Sequence, residues 1–256
     1  MVKTRTTTLS NDLAWSGSKR HGSTNPIVHR GRDPVLGNGS VVRRGPVTIV
    51  VALISMHTFD DLRLPFELFK APIAHAAIDA NGDCAHCNCA ADLRFHALCY
   101  SCFRNGFSDA AIDTELGMVT PELAEMGMTH GLPLSNPSEF DDYGTTAHPI
   151  DPQFPDGTWF HIHMSAKWLR ELLRTPRYHT WQGERWLFCC QRPMVFRGSP
   201  PADLLGESET GIEVKMRRFL DHPRWQDTVG AGYSSHTYYM LLCSNCGCLR
   251  YHDDCD

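Results

Sequence analysis

No GxSxG elbow, phosphate-binding glycine loop, HExxH helix, GxGxxG turn or HxE paired with PCxxC occurs in this chain of 256 residues. Those absences leave catalysis without a supporting motif. No internal repeat stands out, since PRYHTWQ and HPRWQ share too little. The apolar run PVTIVVALISM, from Pro46 to Met56, is about half the length of the roughly 20 residues that cross a bilayer as a helix.

Positive charge is also missing where a fold would use it. Residues 1–55 carry eight Lys/Arg against two Asp/Glu and the remainder 16 against 27, so a segment of net +6 precedes a body of net −11. An acidic body repels phosphate backbones, which argues against a nucleic-acid partner. The basic segment is rich in Gly, Ser, Thr, Arg and Asn, has no apolar period and reads as a disordered leader. Arg43 and Arg44 before the Pro46–Met56 run imitate a secretory signal. However, about 45 residues precede the run and no small-x-small cleavage site follows it. The expectation is a domain over 56–256, with Met56 as the favoured start and a strand or packed extension as the alternative.

What the chain does have is cysteine, 11 in all. Without a credible export signal this points to a reducing compartment, the cytoplasm, where thiols persist and metal binding outranks disulfides. The stretch CAHCNCAADLRFHALCYSC sets Cys84/Cys87 and Cys99/Cys102 eleven residues apart. A CxxC turn places two sulfurs on one metal, and two such turns joined by a short hairpin complete a tetrahedral shell, as zinc prefers. A redox pair needs only one CxxC at a helix start, so redox chemistry is the weaker reading. Four thiolates fill the shell, which leaves His86, Cys89 and His96 as bystanders. FRNGFSDAAIDTEL, after Cys102, reads as a turn followed by a helix.

A second site is expected at the far end. CSNCG, with Cys243 and Cys246, has the form of a zinc-ribbon knuckle in which Gly247 permits the positive φ of the turn. Cys190, from RWLFCC, is the third expected ligand, with Cys189, Cys248, His252 and Cys255 competing for the fourth place. Because successive side chains on a strand point to opposite faces, only one of Cys189 and Cys190 is expected to be a ligand.

Between the two, SAKWLRELLRTP reads as a helix capped by Ser165 and stopped by Pro176, with Leu169, Leu172 and Leu173 on one face. TWFHIHM alternates, so His161 and His163 would share a strand face, a weak metal pair without a third ligand. Trp181 and Trp186 flank a QGER turn as core or corner residues. Residues 131–160, loaded with Pro, Asn, Asp and Gly, read as a loop between an N-terminal zinc lobe, 56–130, and a C-terminal lobe, 161–256.

Four segments together resemble the CbrC-like proteins, a bacterial family linked by name to a two-component regulon and to colicin tolerance: LPFELFKAPIAHAAIDANGDCAHC, LCYSCFRNGFSDAAID, RTPRYHTWQGERWLFCCQRPMVFRG and YMLLCSNCGCLRYHDDCD. The resemblance covers 64–256 and implies a cytoplasmic protein with zinc-like cysteine pairs, but no reaction. Cys189 stands where the family pattern has a histidine, and the 131–160 loop is longer than the family's.

The expectation is therefore an α+β protein, a zinc-knuckle lobe followed by a mixed body closed by a zinc-ribbon-like knuckle. One or two Zn2+ ions would be held by Cys84, Cys87, Cys99, Cys102, Cys190, Cys243 and Cys246. Its role would be structural and interactive, toward a protein partner and not a membrane. The alternative is a hydrolase-type metalloenzyme with an open zinc position beside His161, His163 or His252.

Overall fold

The computed structural model describes residues 57–134, 136–140, 142–147, 158–200, 211–221 and 236–255. The Pro46–Met56 run and the basic leader lie outside them. The described residues all fall within one compact unit, Arg44–Asp256.

Among the described residues the architecture is α+β, with short helices and four small antiparallel sheets. β1 (Asp79–Asp83), β2 (Ala90–Phe95) and β3 (Leu98–Cys99) form the first sheet in that order, and α1 (Tyr100–Arg104) follows directly. α2 (Pro121–Met126) comes next. The second sheet holds β4 (Leu132–Pro133), β6 (Trp159–Ile162) and β5 (Thr145–Ala147) in the order β4-β6-β5, so part of the expected 131–160 loop is strand. α3 (Ala166–Leu173) leads to the hairpin of β7 (Phe188–Cys189) and β8 (Arg192–Pro193). The last sheet combines β9 (Val195–Gly198), β10 (His236–Leu242) and β11 (Leu249–Cys255) in the order β11-β10-β9, with α4 (Ile212–Asp221) before β10.

Local sequence explains the helices. α2 starts at Thr120, whose hydroxyl accepts the Leu123 amide, has Pro121 in its first turn and ends at Gly127 with φ 69°. α3 spans the expected segment and buries Leu169 and Leu172; Ser165 enters it with extended backbone but makes no side-chain cap bond. The helix expected after Gly106 does not form. The Ile112 and Val119 amides and carbonyls bond each other, and the amides of Glu115 and Trp186 reach across to Trp186 O and Asp113 O, so this stretch spends its backbone groups on partners instead of a helix.

Rings dominate the core. Phe59, Phe66, Phe69, Phe95, Phe103, Tyr178, Trp186, Phe196 and Tyr239 are all buried in one cluster that draws on both halves of the chain. Phe66, Phe95 and Phe103 meet edge-on or stacked at 5.2–6.2 Å, and Tyr178 stacks on Phe196 at 4.4 Å. Backbone bonds sew the same halves together: Phe196 N–H to Leu68 O, Lys70 N–H to Phe196 O, Ala77 N–H to Arg177 O and His179 N–H to His75 O. Of the two tryptophans beside the QGER turn, Trp186 is core and Trp181 is exposed.

Close backbone approach fixes one glycine. A Cβ on Gly131 would stand 1.7 Å from Phe160 O, where β4 meets β6, and its φ is +85°.

Candidate metal centres

The first centre is built by β1, β2, β3 and α1. The β1–β2 hairpin closes through the CxxC turn: Asn88 N–H donates to Cys84 O, and Cys84 N–H donates to Cys89 O, both at 2.9 Å. Asn88 takes φ 56°, a conformation that asparagine tolerates better than most residues. A two-residue turn, His96 and Ala97, both at positive φ, then returns the chain into β3 and α1 and delivers Cys99 and Cys102. The sulfurs of Cys84, Cys87, Cys99 and Cys102 all lie within 4.8 Å of one another, with Cys84 and Cys102 buried.

The second centre uses the same parts. In the β10–β11 knuckle Gly247 N–H donates to Cys243 O at 3.0 Å, Cys243 N–H donates to Cys248 O at 2.8 Å, and Gly247 has φ 71°. A second two-residue turn, Cys190 and Gln191 at φ 52° and 59°, joins β7 to β8. Cys189, Cys190, Cys243 and Cys246 are mutually within 4.8 Å.

Of the four candidates for the fourth place, Cys189 is the one whose sulfur lies in this group. One ligand was expected from Cys189 and Cys190, and the structure brings both sulfurs into the group. Strand alternation ends at Cys189, and the left-handed backbone of Cys190 swings its side chain back beside its neighbour. Cys248 stays outside the quartet with its thiol toward Leu249 O, and the side chain of Cys255 lies outside the described residues. His252 is engaged elsewhere, its Nε2 2.8 Å from the Tyr178 hydroxyl.

The spacing suits a metal. A tetrahedral shell with metal–sulfur bonds of about 2.3 Å has sulfur–sulfur edges of about 3.8 Å. Cys87 to Cys99 is 3.8 Å, Cys189 to Cys190 is 3.8 Å and Cys189 to Cys246 is 3.5 Å. The electrostatics favour thiolate at one sulfur of each group. The amides of Cys87, Cys99 and His86 hold Cys84 down at about 6. At Cys243 burial pushes upward, but the amides of Cys246 and Asn245 outweigh it and leave the thiol at about 7. Burial pushes Cys102 and Cys189 well above the usual thiol range. Four sulfurs with one proton readily lost are poised for a cation that displaces the remaining protons.

The bystanders have other contacts. His86 stacks on exposed Phe107 at 3.7 Å, His96 stacks on Phe103 at 5.9 Å, and Cys89 is exposed outside the quartet. His161 Nδ1 lies 2.9 Å from Thr129 O and His163 Nε2 2.5 Å from the Thr146 hydroxyl. Among the described residues neither histidine joins a group of three or more metal-ligating side chains. CAHCNC and CSNCGC share one spacing, a correspondence between the centres too short to stand out as a repeat.

The profile of an uncharacterised protein family, UPF0167, matches residues 64–255. The chain belongs to the UPF0167 family. The matched stretch contains every cysteine of both centres. A curated member, UPF0167 protein PA1536 of Pseudomonas aeruginosa, is 36% identical over 88 residues, which cover 32% of this chain and 48% of the relative. The chain thus spans about half the length of the curated relative it matches. No solved structure matches. Among the described residues no helix is long and apolar enough to cross a membrane.

Proposed function

We propose that each cysteine quartet closes on one zinc ion, and that the two ions staple small sheets into a module whose work is binding a protein partner. Cys84, Cys87, Cys99 and Cys102 hold one ion, and Cys189, Cys190, Cys243 and Cys246 hold the other. The observation that carries the reading is the closed, all-sulfur composition of both groups. A structural zinc site has four protein ligands, whereas a catalytic one keeps a position for water. Two- and three-stranded sheets with strands of two to seven residues have little stability alone, and a metal cross-link supplies it.

The net −11 body favours a protein partner over nucleic acid. A partner in a stress or envelope-tolerance response is the reading that the resemblance to CbrC-like proteins supports, and free cysteines suit a reducing cytoplasm.

Sulfur quartets also suit iron, so the metal must be identified. X-ray absorption on the purified full chain tests the reading: a zinc edge with a shell of four sulfurs at about 2.3 Å is expected. A shell with nitrogen or oxygen in one position would instead favour a metal-dependent hydrolase.

A further inference from the structure

The two halves of the second quartet belong to different sheets. Cys189 and Cys190 lie on the two-stranded β7–β8 hairpin, while Cys243 and Cys246 close the β10–β11 knuckle of the last sheet. One ion pair bridges the two. Glu115 Oε1 accepts from the Phe188 amide at 2.6 Å and from Arg250 Nη1 at 2.7 Å, and Glu115 Oε2 accepts from Arg250 Nη2 at 2.7 Å. Arg250 Nη1 donates as well to Phe188 O at 2.9 Å. Phe188 immediately precedes Cys189, and Arg250 stands two residues beyond Cys248.

We propose that Glu115 and Arg250 are positioning residues for the second metal centre, holding the hairpin half in register with the knuckle half so that the four sulfurs converge. The proposal rests on the zinc reading above. Both main-chain groups of Phe188 are fixed by this one pair, the amide by the carboxylate and the carbonyl by the guanidinium. Glu115 is itself anchored, its amide donating to Trp186 O at 2.9 Å. The carboxylate offsets the guanidinium charge, so the pair acts through geometry and not by supplying net charge to the thiolates. A planar fork gripping a carboxylate in two places fixes orientation as a lysine does not.

The test loads the full chain with cadmium, follows one NMR resonance per centre, and withdraws the metal with a competing chelator. Wild type should show two resonances. In Glu115→Ala the second centre should lose about 10–100-fold in affinity and its resonance should shift, as outer partners of metal ligands commonly do, while the first centre keeps both. Glu115→Gln, which retains an oxygen for the Phe188 amide, should fall between, and Arg250→Lys should resemble Glu115→Ala. Wild-type affinity and resonance position at the second centre in Glu115→Ala and Arg250→Lys would overturn the proposal. If Glu115→Ala also loses the first resonance, its fold has failed, and Glu115→Gln and Arg250→Lys decide by the same criterion. Fewer than two resonances in wild type would overturn the zinc reading itself.

Discussion

Cys189 and Cys190, neighbours in the chain, hold their sulfurs 3.8 Å apart. The turn at Cys190 and Gln191 makes this possible, and Cys189 reaches Cys246 at 3.5 Å from the same position. Cys189→Ser and Cys190→Ser should therefore each reduce bound metal from about two ions per chain to about one. Cys248→Ser, which alters a thiol outside the quartet, should leave two. Elemental analysis of the three purified variants checks this.

The first centre is tied more deeply into the core. Cys84 and Cys102 are buried, Phe103 follows Cys102 into the aromatic cluster, and Arg104 grips Glu171 through both carboxylate oxygens at 2.8 and 2.9 Å. Structural zinc contributes about 10–16 kcal/mol in finger peptides, on the scale of a whole domain's stability. Cys102→Ser should lower unfolding stability by about 5 kcal/mol or more. Denaturant titration should show a larger loss than for Cys190→Ser, which sits at an exposed turn.

Asp254 organises the turn before the second centre. Its Oδ2 accepts from the Thr180 hydroxyl, the Trp181 amide at 2.9 Å, the Gln182 amide at 3.2 Å and the Tyr239 hydroxyl at 2.9 Å. Burial raises this carboxyl, but the four donors outweigh it and hold it below the usual range. Asp254→Asn removes the charge that those donors share and should cost about 2–4 kcal/mol, measured by chemical denaturation. The loss should shrink as pH falls, because the wild-type carboxylate contributes fully above the ordinary aspartate range and its contribution disappears as it protonates in the fold.

Two histidines, His75 buried and His252 half-buried, set an acid limit. Burial lowers His75 to about 3 and His252 to about 4, against an unfolded value of about 6.5. Below pH 6.5 the unfolded chain takes up protons that the folded chain refuses. Stability should thus fall as pH drops from about 6.5, and this loss should level off below about 3. His252 accounts for up to about 3 kcal/mol of it. His252→Gln, which keeps a polar partner for the Tyr178 hydroxyl and does not titrate, should flatten the curve by that share in denaturation series at matched metal content.

The sequence carried the cysteine grouping well where cysteine and turn lie close together. Cys84 to Cys102 is a self-contained stretch, and Gly247 announces its knuckle because glycine accepts positive φ. The α3 helix was legible from Leu169 and Leu172 for the same reason: the pattern is local. Cys189 stayed one of four candidates because neither Cys190 nor Gln191 advertises a left-handed turn. The closure of the second centre was hidden, since Glu115 meets Arg250 across 135 residues of sequence. The missing helix after Gly106 fails on similar grounds. Its propensity is overridden by Val119 and Trp186, partners that only the folded chain brings near.

Metal stoichiometry of the full chain, purified without chelator and measured by elemental analysis against amino-acid quantitation, bears most directly on the central claim. Two cysteine quartets predict about two zinc ions per folded chain, with zinc in large excess over iron. Folded chain carrying no stoichiometric metal would contradict it.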